Sequence, residues 1–159
     1  MTLLLSDIDI QTVSAQDLGQ IIRLDERVTN NTKQEYWQDI FERYGEKLSK
    51  GRFFLVAKVH QGKAEGQILG FIVGEIRVWE FGSEPCGWVF AFSVEPDTRL
   101  QGIGERLFEA MSAKFRQAGM KTMRTMVARH NQLHMAFFRS EGMVAGPYIQ
   151  LEKPLGKLP

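Results

Sequence analysis

From position 94 the chain reads Val94-Glu95-Pro96-Asp97-Thr98-Arg99-Leu100-Gln101-Gly102-Ile103-Gly104-Glu105. Ile103, Leu107, Phe108, Met111 and Phe115 then recur at helical spacing. Residue types in this order suit the binding of an anion. The first N–H groups of a helix have no intrahelical acceptor, and the helix dipole adds partial positive charge there. Gly102 and Gly104 remove the Cβ atoms that would keep a ligand off the backbone, and Arg99 contributes a fixed charge. Two glycines alone are equally consistent with a tight turn that holds nothing. Two nucleotide loops are excluded by identity: a dinucleotide fingerprint needs glycine where Leu107 stands, and a Walker loop needs Lys-Ser or Lys-Thr where Glu105-Arg106 stands.

The elements that must position this turn can be read from periodicity. Ile8 to Val13 alternates as a first strand. Ser14 precedes a helix carrying Leu18, Ile21, Ile22 and Val28, and after a polar stretch a second helix runs from Glu35 to Leu48. Phe53 to Val59 and Ile68 to Val78 form an antiparallel pair around a polar, Gly-containing connection. Trp88 to Val94 is almost continuously apolar, the pattern of a central strand covered on both faces. A helix over 103–118, a strand over 121–127, a helix over 131–141 and a last strand over 148–151 complete the order. The fold class is α/β: one domain over 1–159, with a mixed, mostly antiparallel sheet and helices on both faces.

Composition narrows the function. The 159 residues are 43% hydrophobic, and 20 basic residues against 19 acidic ones leave a net charge of +1. No global field draws such a chain to nucleic acid or to an anionic membrane. Asp7 and Asp9 interrupt the leucines of the start before a signal sequence could form, and no apolar run approaches membrane-spanning length. Cys86 is the only cysteine, which excludes an internal disulfide and a cysteine-based zinc cage. A cytoplasmic location is expected. His130 and His134 have a metal-sharing spacing but no Cys or obvious acidic partner, so no metal site is assigned.

Arg99-Leu100-Gln101-Gly102-Ile103-Gly104 resembles the acetyl-CoA motif of the GNAT superfamily, Arg/Gln-x-x-Gly-x-Gly/Ala, at every defined position. Val94-x-Pro96 ahead of it is part of the resemblance. So is the downstream block of Asn131, Phe137-Phe138 and Glu141-Gly142-Met143. The resemblance implies a GNAT fold splayed between the fourth and fifth strands. It implies that N–H groups from Gln101 to Glu105 hold the CoA pyrophosphate and that the backbone of Phe92, Ser93 and Val94 pairs with the pantetheine arm. Asn131 would bond that arm and Phe138 would pack beside the sulfur. The implied activity is transfer of an acetyl group from acetyl-CoA to a primary amine, on a small molecule or a protein, and a homodimer is a common arrangement in the family.

One departure bears on mechanism. Family members often place a Glu on the strand before the motif, a Glu on the next strand and a Tyr in the last helix. The matching positions here are Trp88 or Phe90, Met126 and Phe138, and none can move a proton. Ribosomal-protein N-terminal acetyltransferases are therefore resembled only in part. Three accounts stand open. Glu75 could serve as base or water-relay anchor with Tyr148 as acid, or each could be an ordinary surface residue. Positioning alone could suffice, with an N–H near Phe92 or Ser93 meeting the oxyanion, because a thiolate is a tolerable leaving group. The chain could instead be a non-catalytic acyl-CoA sensor or scaffold. Trp88 and Phe90 are candidates for lining the acceptor pocket.

Overall fold

The computed structural model describes residues 3–47, 49–98 and 102–156. The chain divides into two compact units, 1–126 and 127–159. The first holds a five-stranded sheet in the order β1-β2-β3-β4-β5. Its strands are β1 (Ile8–Thr12), β2 (Arg52–Val59), β3 (Ile68–Arg77), β4 (Cys86–Val94) and β5 (Met123–Thr125), with α1 (Leu18–Thr29), α2 (Gln34–Ile40) and α3 (Ile103–Gln117) between them. β1 to β4 pair antiparallel in sequence, and β5 pairs parallel with β4. The first unit is thus the mixed, mostly antiparallel sheet that the apolar patterning predicts.

Two apolar layers hold it. On one face Ile103, Leu107, Met111 and Phe115 of α3 pack with Leu55, Ile72 and Val89. A stripe of glycines lets α3 lie close: a Cβ on Gly70 would stand 2.9 Å from Leu107, one on Gly74 2.9 Å from Phe115, and one on Gly87 2.3 Å from Phe115. On the other face Ile21 and Leu24 of α1 and Trp37 and Ile40 of α2 cover Phe54, Phe71 and Val73. Buried polar groups are paired, as burial in a low-dielectric interior demands. The Asp25 carboxylate accepts from Trp37 Nε1 at 3.0 Å, and Asp17 holds Lys58 Nζ at 2.6 Å.

Differences from the periodicity are local. The second helix is α-helical only to Ile40 and continues as a π-helical turn over Phe41–Glu46. β5 is three residues long instead of seven. The second unit contains α4 (Gln132–Ser140), capped by Asn131 Oδ1, which accepts from His134 N–H at 3.1 Å. The sixth strand expected over Tyr148 to Leu151 does not form; the segment follows Pro147, which lacks a donor, and exposes Ile149 and Leu151. Among the described residues no helix is long and apolar enough to cross a membrane.

Candidate functional site

The glycine turn sits where β4 hands over to α3. Gly102 caps α3 with φ 94°, a left-handed conformation that suits glycine. The Arg106 N–H bonds to the Gly102 carbonyl at 3.0 Å, so the amides of Ile103, Gly104 and Glu105 precede it at the positive end of the dipole. At the other side of the turn Glu95 is buried and paired with Arg27 of α1. Its charge is compensated before an anion arrives. Arg106 is also committed, donating to the carbonyls of Leu5 at 2.9 Å and Ile8 at 2.8 Å.

β4 leads toward this turn beyond the reach of β5. Its parallel pairing with β5 covers Gly87↔Met123, Trp88↔Arg124 and Val89↔Thr125, and there it stops. Thr125 Oγ1 donates to the Val89 carbonyl at 2.8 Å at the point of parting. Beyond Val89, Ala91 to Val94 stay paired with β3, up to Gly70↔Val94. A strand edge of this kind offers backbone donors and acceptors to an extended ligand. β4 also bulges: Val73 opposes Ala91 and Gly74 opposes Val89, leaving Phe90 without a register partner. Phe90 and Ala91 consequently pack in the same layer, whereas Val89 and Phe92 pack in the α3 layer. Bulges concentrate beside active sites because they re-aim side chains. The sequence run showed no sign of this one.

A polar cluster lies on the α2 side of the bulge. Tyr44, within the π-helical turn, donates its hydroxyl to Glu75 Oε2 at 2.7 Å. Arg77 Nε donates to Glu75 Oε1 at 3.3 Å, and its guanidinium lies 4.7 Å from the centre of the Trp88 ring. Glu75 and Trp88 are register partners, and the Tyr44 ring meets Phe90 edge-on at 5.1 Å. Burial, and then the Glu75 carboxylate, push the Tyr44 phenol above its ordinary value, so it stays a protonated donor near neutrality. Three residues singled out from sequence, Glu75, Trp88 and Phe90, are brought together here. Tyr44 and Arg77 were missed; the only signal for Tyr44 was its place four residues after Ile40 on the buried helical stripe.

The second unit carries Asn131, Phe138 and Tyr148. Asn131 spends its side-chain oxygen on the α4 cap, which leaves the amide NH2 to donate. Phe138 is buried and meets Phe137 edge-on at 5.5 Å. Tyr148 is exposed, in a segment without helix or strand. Among the described residues no group of three or more His, Cys, Asp or Glu gathers as a metal cage. Cys86 is buried beneath Arg124.

The sequence matches the Acetyltransferase (GNAT) family over residues 18–143. The chain belongs to this family. No curated protein sequence is significantly similar to it. Solved GNAT structures share the fold. An aminoglycoside N-acetyltransferase, AAC(6')-Iy in complex with CoA, superposes with TM-score 0.77 at 16% identity, covering 94% of this chain and 95% of that one. AAC(6')-Ih of Acinetobacter baumannii gives 0.73 at 18% identity, covering 94% and 99%. A ribosomal-protein-alanine N-acetyltransferase of Brucella melitensis gives 0.70 at 15% identity, covering 93% and 99%. Of the GNAT motif residues, Arg99, Leu100 and Gln101 lie outside the described residues, whereas Gly102, Ile103, Gly104 and Glu105 open α3.

Proposed function

We propose that this GNAT chain, acting as one domain over 1–159, transfers an acetyl group from acetyl-CoA to a primary amine by direct attack on the thioester. The observation that carries the reading is the conjunction at the end of β4. A strand that outruns its β5 pairing at Val89 leads toward a glycine-capped helix start whose neighbouring carboxylate is already neutralised by Arg27. These features fit a ligand with an extended amide-bearing arm and a diphosphate. Acetyl-CoA supplies the activated acyl group.

The chain's own residues divide the remaining work. Backbone groups of Phe92, Ser93 and Val94 hold the arm, and the amides of Gln101 to Glu105, with Arg99, hold the diphosphate. The GNAT resemblance assigns Asn131 to the arm and Phe138 to the sulfur. Trp88 and Phe90 line the acceptor pocket. Glu75 draws in the ammonium form of the acceptor and takes its proton directly or through a water. Both of its oxygens accept hydrogen bonds, from Tyr44 and Arg77, which hold the carboxylate in place for that step. Tyr148 is the candidate donor to the departing thiolate. With Met126 and Phe138 at the family's proton-handling positions, orientation supplies most of the acceleration.

The acceptor is a small-molecule amine in this reading, as the aminoglycoside acetyltransferases among the structural neighbours favour; a protein amine is the second class. A cytoplasmic setting suits Cys86, a buried thiol that needs no disulfide partner. Calorimetric titration with CoA tests the cofactor half of the proposal. One molecule should bind per chain, with affinity falling at least tenfold in Asn131→Ala; no heat from the intact protein would overturn it.

A further inference from the structure

Three cations, Lys47, Lys50 and Arg52, are clustered in sequence where the π-helical turn passes into β2, and α3 brings a fourth, Lys114, to the same place. They line a cleft of about 280 Å³ whose walls include Tyr44 and Phe53 and whose lining, among the described residues, contains no carboxylate. Elsewhere in the first unit Arg27, Lys33, Lys58 and Arg77 each pair with an acidic side chain. Among the described residues none of the four cleft cations has a carboxylate within ion-pair distance. Like charges converging on a concave surface focus a positive potential, which is costly unless an anion answers it. Lys114 lies twelve residues beyond Gly102 on α3, about 18 Å along the axis, so the cleft is separate from the diphosphate turn.

The cleft is nevertheless joined to the polar cluster. Arg52 and Glu75 are direct register partners on β2 and β3. The Arg52 guanidinium lies 5.4 Å from the centre of the Tyr44 ring, and the hydroxyl of that ring is the donor to Glu75. One tyrosine therefore separates a site that attracts an ammonium from one that attracts an anion. We propose that the cleft seats an anionic group, a carboxylate or a phosphate, carried by the amine acceptor whose nitrogen is held at Glu75. The preferred substrate is then a zwitterionic amine. A polyamine would meet four like charges. This inference rests on the acetyl-transfer reading.

The test compares acceptors of similar length in acetyl-CoA turnover: γ-aminobutyrate, aminopropyl phosphate, γ-aminobutyramide and putrescine. One or both of the anionic amines should have a KM at least tenfold below those of the amide and the diamine, and the better one identifies the anion. The double variant Lys50→Gln, Lys114→Gln should erase that advantage through KM with kcat retained. Equal KM values, a preference for putrescine, or an unchanged advantage in a folded double variant would overturn the proposal. If the variant does not fold, the wild-type series decides alone. If CoA binds but no amine is acetylated, the transfer reading fails separately. Calorimetry with γ-aminobutyrate, aminopropyl phosphate and γ-aminobutyramide then judges the cleft, and equal affinity for the amide and both anionic amines overturns it.

Discussion

The Tyr44 hydroxyl donates to Glu75 Oε2 at 2.7 Å, joining a π-helical turn to β3 across 31 positions of sequence. The bond fixes the carboxylate beside Trp88 and Phe90, on the side of the β4 bulge opposite α3. Its geometry depends on the turn: a helix that wound regularly past Ile40 would present Tyr44 at a different angle. π-helical turns recur at functional sites for this reason.

Removing the hydroxyl alone should therefore affect acceptor handling more than folding. Tyr44→Phe keeps the ring contacts with Phe90 and Arg52 but frees Glu75 Oε2. The stability loss should be about 1 kcal/mol, since the partly buried carboxylate can recruit water. The KM for the amine should rise severalfold with CoA affinity unchanged, as read by steady-state kinetics beside calorimetry.

The same phenol predicts an alkaline signature. Its folded pKa lies above the ordinary value of 10.0, so between the unfolded and folded values the native state binds the proton that the unfolded chain releases. Stability from this group is complete below about pH 10 and is lost as pH rises above it. Thermal unfolding of the wild type should show a steeper fall above that pH than Tyr44→Phe; parallel curves would mean that the phenol is unperturbed.

Gly102→Ala tests the turn. At φ 94° an added Cβ is strained, and it would approach Leu5 Cδ2 to 3.3 Å. A loss of about 1–2 kcal/mol in stability is expected from the left-handed backbone alone. CoA affinity, measured by calorimetry below the melting transition, should fall more than the fold does.

Gly87→Ala tests the seat of α3. The new Cβ would stand 2.3 Å from the Phe115 ring, and that ring is wedged against Phe53 at 5.9 Å. Denaturant unfolding should report a loss of about 1–3 kcal/mol. Phe115→Leu in the same chain should recover part of it, because the two sites share one space.

The elements were legible where a local rule controls them. Ile103, Leu107, Met111 and Phe115 announce α3 by spacing, and Gly102 announces the turn because few other residues accept its φ. The polar cluster was legible only in pieces. Glu75, Trp88 and Phe90 stood out by type, but Tyr44 reads as one more apolar-stripe residue until α2 is laid on β3. The bulge at Phe90 was hidden because a continuous apolar run has no alternation to break. Tyr148 to Leu151 misled in the opposite way: its residues favour a strand, yet a strand needs a ladder partner as well as a propensity.

Thiol release from acetyl-CoA, followed with and without a panel of primary amines, tests the central claim most directly. Release should depend on the amine, saturate in both substrates, and yield the N-acetylated acceptor by mass spectrometry. CoA binding that raises the melting temperature with no amine-dependent release would contradict acetyl transfer and leave a binding protein in its place.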